Sequence, residues 1–204
     1  MILGVLLLGG ALGLLVYNNS QDRQAAESSA QVLEEIRAEI APTTSETNAP
    51  DSPAPTQPEA PLPPVEMLKP EDLIMTEKNI QGWNYIGYLA IPDLDLALPV
   101  LSKWSYPGLQ LAPARYGGSV KGRDLVIVAH NFANHFGKIN TLTEGATVTF
   151  TDMDGEVWIY QVVGRDVVSP SAVEEVTSGD YALTLLTCTF GGQNRICVYC
   201  DLVE

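Results

Sequence analysis

The chain has 204 residues, 46% of them hydrophobic and 18% charged, which suits one packed domain with appendages and excludes wholesale disorder. Eleven basic against 25 acidic residues give a net charge of −14, so no cationic surplus exists to neutralise phosphates and nucleic acid is excluded as a partner. With 3 cysteines and 2 histidines there is neither a disulfide framework nor a His-rich metal site, and any chemistry rests on a short roster of side chains.

Residues 1–17 carry no charge at all. As a helix they span roughly 25 Å at ~1.5 Å per residue, close to the thickness of a hydrocarbon core. This is the pattern of an uncleaved signal anchor; the apolar stretch of a cleaved signal peptide is the competing reading, but Tyr17-Asn18-Asn19-Ser20 offers no small-x-small cleavage site. Residues 18–80 read as a stalk. Within it Val32, Leu33, Ile36 and Ile40 fall on one helical stripe, which suggests a short juxtamembrane helix open to self-association. Residues 41–70 hold 9 of the 14 prolines, counted along the sequence, and form an extended spacer. Since residues 1–80 contain no candidate reactive group, a chain starting near Glu77 is expected to fold and keep its chemistry.

Residues 81–204 have the texture of a small all-β domain. Ile86–Ile91 and Leu96–Val100 flank an Asp93-Leu94-Asp95 turn, and Asp124–His130 is a continuous apolar run, as in a strand buried on both faces. Thr147–Asp152 and Val157–Val163 alternate around an Asp154-Gly155 hairpin signal, and Leu183–Cys188 and Arg195–Cys200 flank Gly191-Gly192. The helical candidates are Tyr106–Arg115 and His135–Leu142. Such a series of short strands indicates a barrel or sandwich.

The last hairpin carries the chemistry. A two-residue turn at Gly191-Gly192 places Cys188 opposite Arg195, on one side of the sheet, where a guanidinium biases a thiol toward thiolate. A four-residue Gly-Gly-Gln-Asn loop would instead face Cys188 with Cys197, as in a redox pair; the glycine turn is preferred because both residues accept positive φ. His130 ends its strand as Cys188 ends another, so the two can meet at one rim, giving a nucleophile, a proton carrier and an electrophilic stabiliser. His135 sits among loop-like neighbours. Cys197 and Cys200 share Cys-x-x-Cys spacing, but in a strand they point to opposite faces and read as packed thiols.

Taken in order, Ile86-Gly-Tyr-Leu-Ala-Ile-Pro92 with Leu98-Pro-Val100, Val128-Ala-His130, and Thr184-Leu-Leu-Thr-Cys188 followed by Arg195 resemble the sortases, membrane-anchored cysteine transpeptidases of Gram-positive bacteria. The resemblance covers about residues 82–204. It implies an eight-stranded β-barrel, a Cys188, His130 and Arg195 triad, and Thr187 lining the substrate site. It further implies a Cys188 thioester formed on a sorting motif of a surface protein. That thioester would be resolved by an amine of a cell-wall precursor or another surface protein, with the barrel outside a single-pass anchor. No cofactor and no metal are expected; Glu174-Glu175 reads as solvated surface rather than a calcium loop. The short segment between Cys188 and Arg195 departs from the class B pattern. A hydrolase of the same fold and an inert peptide-binding barrel are the alternatives.

Overall fold

The structure is a computed structural model that describes residues 2–40, 68–173 and 177–203, with most side chains before Ala25 outside the description. Nine strands are named in chain order. These are β1 (Lys78–Ile80), β2 (Trp83–Ile91), β3 (Leu96–Leu101), β4 (Ala114–Gly117), β5 (Leu125–Val128), β6 (Thr147–Asp152), β7 (Val157–Val168), β8 (Leu183–Cys188) and β9 (Arg195–Leu202). They pair in the order β1-β2-β3-β4-β5-β8-β9-β7-β6, and a further β2–β6 pairing closes the ring. Eight strands therefore form a closed barrel, with β1 a short hairpin extension of β2, as the all-β reading expected. Closure removes exposed sheet edges.

Alternation decides which residues fill the barrel. Leu125, Ile127 and Ala129 of the β5 segment, Leu183 and Leu185 of β8, and Val198 and Cys200 of β9 belong to the central core with Phe136, Phe150 and Tyr160. Val128, Leu186, Cys197 and Tyr199 consequently lie on the outer surface of the same sheet, in separate apolar clusters. Cys197 and Cys200 thus do point to opposite faces, and all three cysteines are free thiols.

Two strands escaped the sequence reading. β1 and β4 are short and lack an apolar alternation, with Arg115 in the middle of β4. The expected helix at Tyr106–Arg115 is only one turn, α2 (Tyr106–Leu109), started by Ser105, whose hydroxyl accepts from Gly108 N–H. Pro113 lacks the N–H that a longer helix would need, and the chain turns into β4 instead. His135–Leu142 is likewise a series of turns with a 3₁₀ segment at Ile139–Thr141.

The N-terminal helix α1 (Ile2–Ile40) is continuous, and its second half is packed on the barrel. The Val32–Ile36 stripe is present, but it meets Ile80, Tyr85, Leu101, Leu109, Ala112 and Met153 rather than another copy of itself. Ile36 is fully buried. Around this apolar seam Glu35 accepts from Gln81 at 2.6 Å, Glu39 pairs with Lys78 at 3.4 Å, and the Arg37 guanidinium lies 5.5 Å over the Tyr88 ring. Met75, upstream of β1, reaches the central core. A chain beginning at Glu77 would therefore lose part of the core, which runs against the expectation that residues 1–80 are dispensable. Among the described residues no helix is long and apolar enough to cross a membrane. Most apolar side chains of residues 1–17, the proline-rich residues 41–67 and Glu174-Glu175 lie outside the described residues.

Candidate active site

The β8–β9 register is that of the glycine-turn reading, with Cys188 opposite Arg195 and Leu186 opposite Cys197. The turn itself differs. Gly192 N–H donates to Thr189 C=O at 2.8 Å, so the tight bend runs Thr189–Gly192, and Thr189 N–H donates to Asn194 C=O at 3.0 Å. Gly191 and Gly192 have φ of 82° and 73°, a conformation in which a Cβ is strained. Phe190 at the bend is wholly exposed. The same pairing is reached through a longer loop, because the Thr189–Asn194 bonds, including Asn194 N–H to Thr189 Oγ1 at 3.1 Å, extend the ladder beyond the strands.

β5 and β8 run parallel with Val128 beside Leu186. Continued two residues past the end of β5, the same offset would set His130 beside Cys188. Hydrogen bonds lock this extension: Ala129 N–H to Leu186 C=O at 3.0 Å, Thr187 Oγ1 to Ala129 C=O at 2.9 Å, and Asn131 Nδ2 to Thr189 C=O at 3.2 Å. Cys188 and Arg195 are thus paired where β8 and β9 meet the turn, on the outer face of the barrel, and the segment carrying His130 is tied to the same end of β8. Beneath them Leu186, Cys197 and Tyr199 form an apolar floor, flanked by Val128, Val168, Val173 and Tyr181, the last stacked on Tyr199 at 4.4 Å.

Thr187 is placed differently from the expectation. It is 1% exposed and faces away from Cys188, and its hydroxyl is committed to Ala129. Lying between Leu186 and Cys188 in an alternating strand, it ties β8 to the His130 segment instead of lining a binding surface.

Environment separates the three thiols. Burial pushes Cys197 up to about 11 and Cys200 up to about 12, which keeps both protonated, whereas Cys188 is partly exposed. Burial also holds His130 below the ordinary imidazole range, and its ring packs at 4.8 Å on Phe132. His135, on the far side of Phe132, is buried, and its pKa falls to about 4 through burial first and the neighbouring His130 second. Arg195 uses Nη1 to donate to Gly192 C=O at 2.9 Å and Asn194 C=O at 3.1 Å, so the guanidinium is braced against the turn. Gln110 was missed: its side-chain amide lies 3.0 Å from His130 Nε2. No periodicity or spacing marks it, since the contact joins positions 20 apart in sequence across the fold.

Comparison with known proteins gives the family. The family profile for the Sortase domain matches residues 89–203. Sortase A of Streptococcus agalactiae serotype III is 27% identical over an alignment of 156 positions that covers 68% of this chain and 61% of that protein; the chain thus spans under two thirds of the length of this relative. Among solved structures, sortase C2 of Group B Streptococcus pilus island 1 superposes with a TM-score of 0.51 at 27% identity, covering 59% of this chain and 74% of that one. A Clostridium perfringens sortase D5 transpeptidase gives a TM-score of 0.54, covering 62% and 83%, and at 20% identity it speaks for the fold alone. The profile takes in every strand that carries His130, Cys188 and Arg195 and more than half of the sequence, and the chain therefore belongs to the sortase family.

Proposed function

We propose that the protein is a membrane-anchored cysteine transpeptidase. The observation that carries this reading is the pairing of Cys188 with Arg195 across β8 and β9, with the His130 segment hydrogen-bonded to the same end of β8 and Cys188 the partly exposed thiol among three. Cys188 Sγ attacks a backbone carbonyl within a sorting motif of a surface protein. Arg195 with a backbone N–H stabilises the oxyanion that develops. His130 hands a proton to the departing amine as the C–N bond breaks, leaving a thioester on Cys188. An amine of a cell-wall precursor or another surface protein then attacks that thioester, gives its proton to His130 and releases the thiol. The apolar floor of Leu186, Val168 and Tyr181 suits the Leu-Pro-like part of such a motif. The uncharged residues 1–17 are proposed as a single-pass anchor with the barrel outside the cell.

Intact-mass spectrometry tests this after a peptide library is offered with and without an amine acceptor. The expected result is a thioester adduct on Cys188, absent in Cys188→Ala, and an amine-linked product. Free acid as the sole product even with saturating amine would establish the hydrolase instead. Absence of any adduct in a folded protein would leave the inert barrel.

A further inference from the structure

The contact at His130 Nε2 connects to the N-terminal helix. Gln110 follows α2 directly and is exposed, but the residues on either side of it are fixed. Leu109 and Ala112 are buried in the cluster that α1 shares with the barrel, and Leu111 and Ala112 N–H both donate to Gly108 C=O, at 2.8 and 3.1 Å. Leu111 C=O in turn accepts the Ser29 hydroxyl of α1 at 2.6 Å. Ser29 is 3% exposed, 82 residues away from Leu111 in sequence. A helix without any reactive side chain is thus linked to the imidazole through one serine, one backbone segment and one amide.

As the amide sits here, with its nitrogen toward the ring, it donates to His130 Nε2, and the neutral tautomer that matches carries its proton on Nδ1. When the ring becomes imidazolium, Nε2–H must donate; the same amide can follow by turning its Oε1 toward the ring. A carboxylate or a methyl group cannot serve both states. We propose that Gln110 is a positioning residue that sets the tautomer and orientation of His130, and that α1 holds it there through Ser29. This deepens the transpeptidase reading, since it assumes that His130 is the proton carrier. His135 lies across Phe132 from the ring on the same loop, Cys188 and Arg195 stand at the neighbouring ends of β8 and β9, and Gln110 is the uncharged partner from the α2 side.

The experiment is ¹⁵N-histidine NMR across pH on the full chain in detergent micelles, with kcat/KM measured on the same samples. Wild type is expected to show neutral His130 with its proton on Nδ1. In Gln110→Ala the proton should move to Nε2, the form that free imidazole favours, and kcat/KM should fall about two- to tenfold. Gln110→Glu should raise the pKa of His130 by about one unit or more, as a carboxylate beside the ring favours the cation. Ser29→Ala should shift the tautomer in the same direction by less, and Ser29→Thr, which restores a hydroxyl, should reverse it. An unchanged tautomer in Gln110→Ala overturns the assignment of Gln110. A wild-type tautomer in a folded Ser29→Ala overturns the brace. The NMR readout needs no turnover, so a chain that fails to form a thioester while its tautomer follows Gln110 refutes the function and upholds this contact.

Discussion

At the scale of single residues, the proposed function gives Arg195 two separable jobs. Opposite Cys188 it supplies positive charge, and as a planar donor it can hold an oxyanion. Arg195→Lys keeps the charge and loses the fork. Alkylation of Cys188 should stay near the wild-type rate, while acyl transfer should slow by the roughly 10²–10³-fold typical of losing one oxyanion donor. A parallel fall in both rates would assign Arg195 to thiol ionisation alone. His135 makes a second prediction. Its pKa is lowered to about 4 in the fold against an ordinary 6.5. The neutral ring's contribution to stability is complete above 6.5. As pH falls from there toward 4, the unfolded chain binds a proton that the native state does not, so stability drops over that window. His135→Phe, apolar and of similar shape beside Phe132, should flatten the pH dependence of the denaturation midpoint between pH 6.5 and 4; an unchanged slope would mean that His135 is charged in the fold. The Cys188–Arg195 pairing was legible in the sequence because alternation and register are local rules. The inward face of Thr187 followed from the same parity, since it lies between Leu186 and Cys188; resemblance had placed it at the surface instead.

At the scale of elements, the last hairpin shows what local rules can miss. The register of its two strands was readable out to the Thr189–Asn194 rung, but the bend was not, since the tight turn runs Thr189–Gly192 instead of centring on Gly191-Gly192. α1 was misplaced for a comparable reason. A single apolar stripe states that a helix needs a partner and leaves open which one, a second copy or its own barrel. Here the partner is the outer surface of β1–β4, and its strength can be measured. Ile36→Ala empties a fully buried position and should cost about 2–5 kcal/mol in urea denaturation. Glu34→Ala, on the opposite, solvent-facing side with its side chain 74% exposed, should stay within about 0.5 kcal/mol of wild type. A chain starting at Glu77 should aggregate, with Ile80, Tyr85 and Leu101 uncovered. Equal midpoints for Ile36→Ala and wild type would show that α1 does not dock in solution.

At the scale of the whole molecule, seven of the nine strands were readable and ring order was not. The parallel β3–β4 and β5–β8 pairings and the β2–β6 seam join segments far apart in sequence, and nothing in a local pattern selects them. The seam depends on one residue. Gly87, opposite Asp152, has a φ of 143°, and a Cβ there would run into the carbonyl oxygen of Thr151 and approach Asp152 Cα to 2.9 Å. Both obstacles are backbone, which cannot rotate aside, so Gly87→Ala must either part β2 from β6 or distort the bulge that shifts the register between Tyr85 and Gly87. Either outcome should cost more than about 3 kcal/mol, among the larger single-residue effects. In the ring, however, β8 lies diametrically across from β2, with β3, β4 and β5 intervening on one side and β9, β7 and β6 on the other. The local geometry that aligns Cys188 with His130 and Arg195 does not involve the seam. Gly87→Ala should therefore lower the thermal midpoint and speed amide exchange in β2 and β6, while the fraction still folded at low temperature alkylates Cys188 at the wild-type rate. A variant as stable as wild type would mean that β2 and β6 do not close the barrel. A slowed Cys188 in folded protein would show that closure strains the site across the full width of the ring.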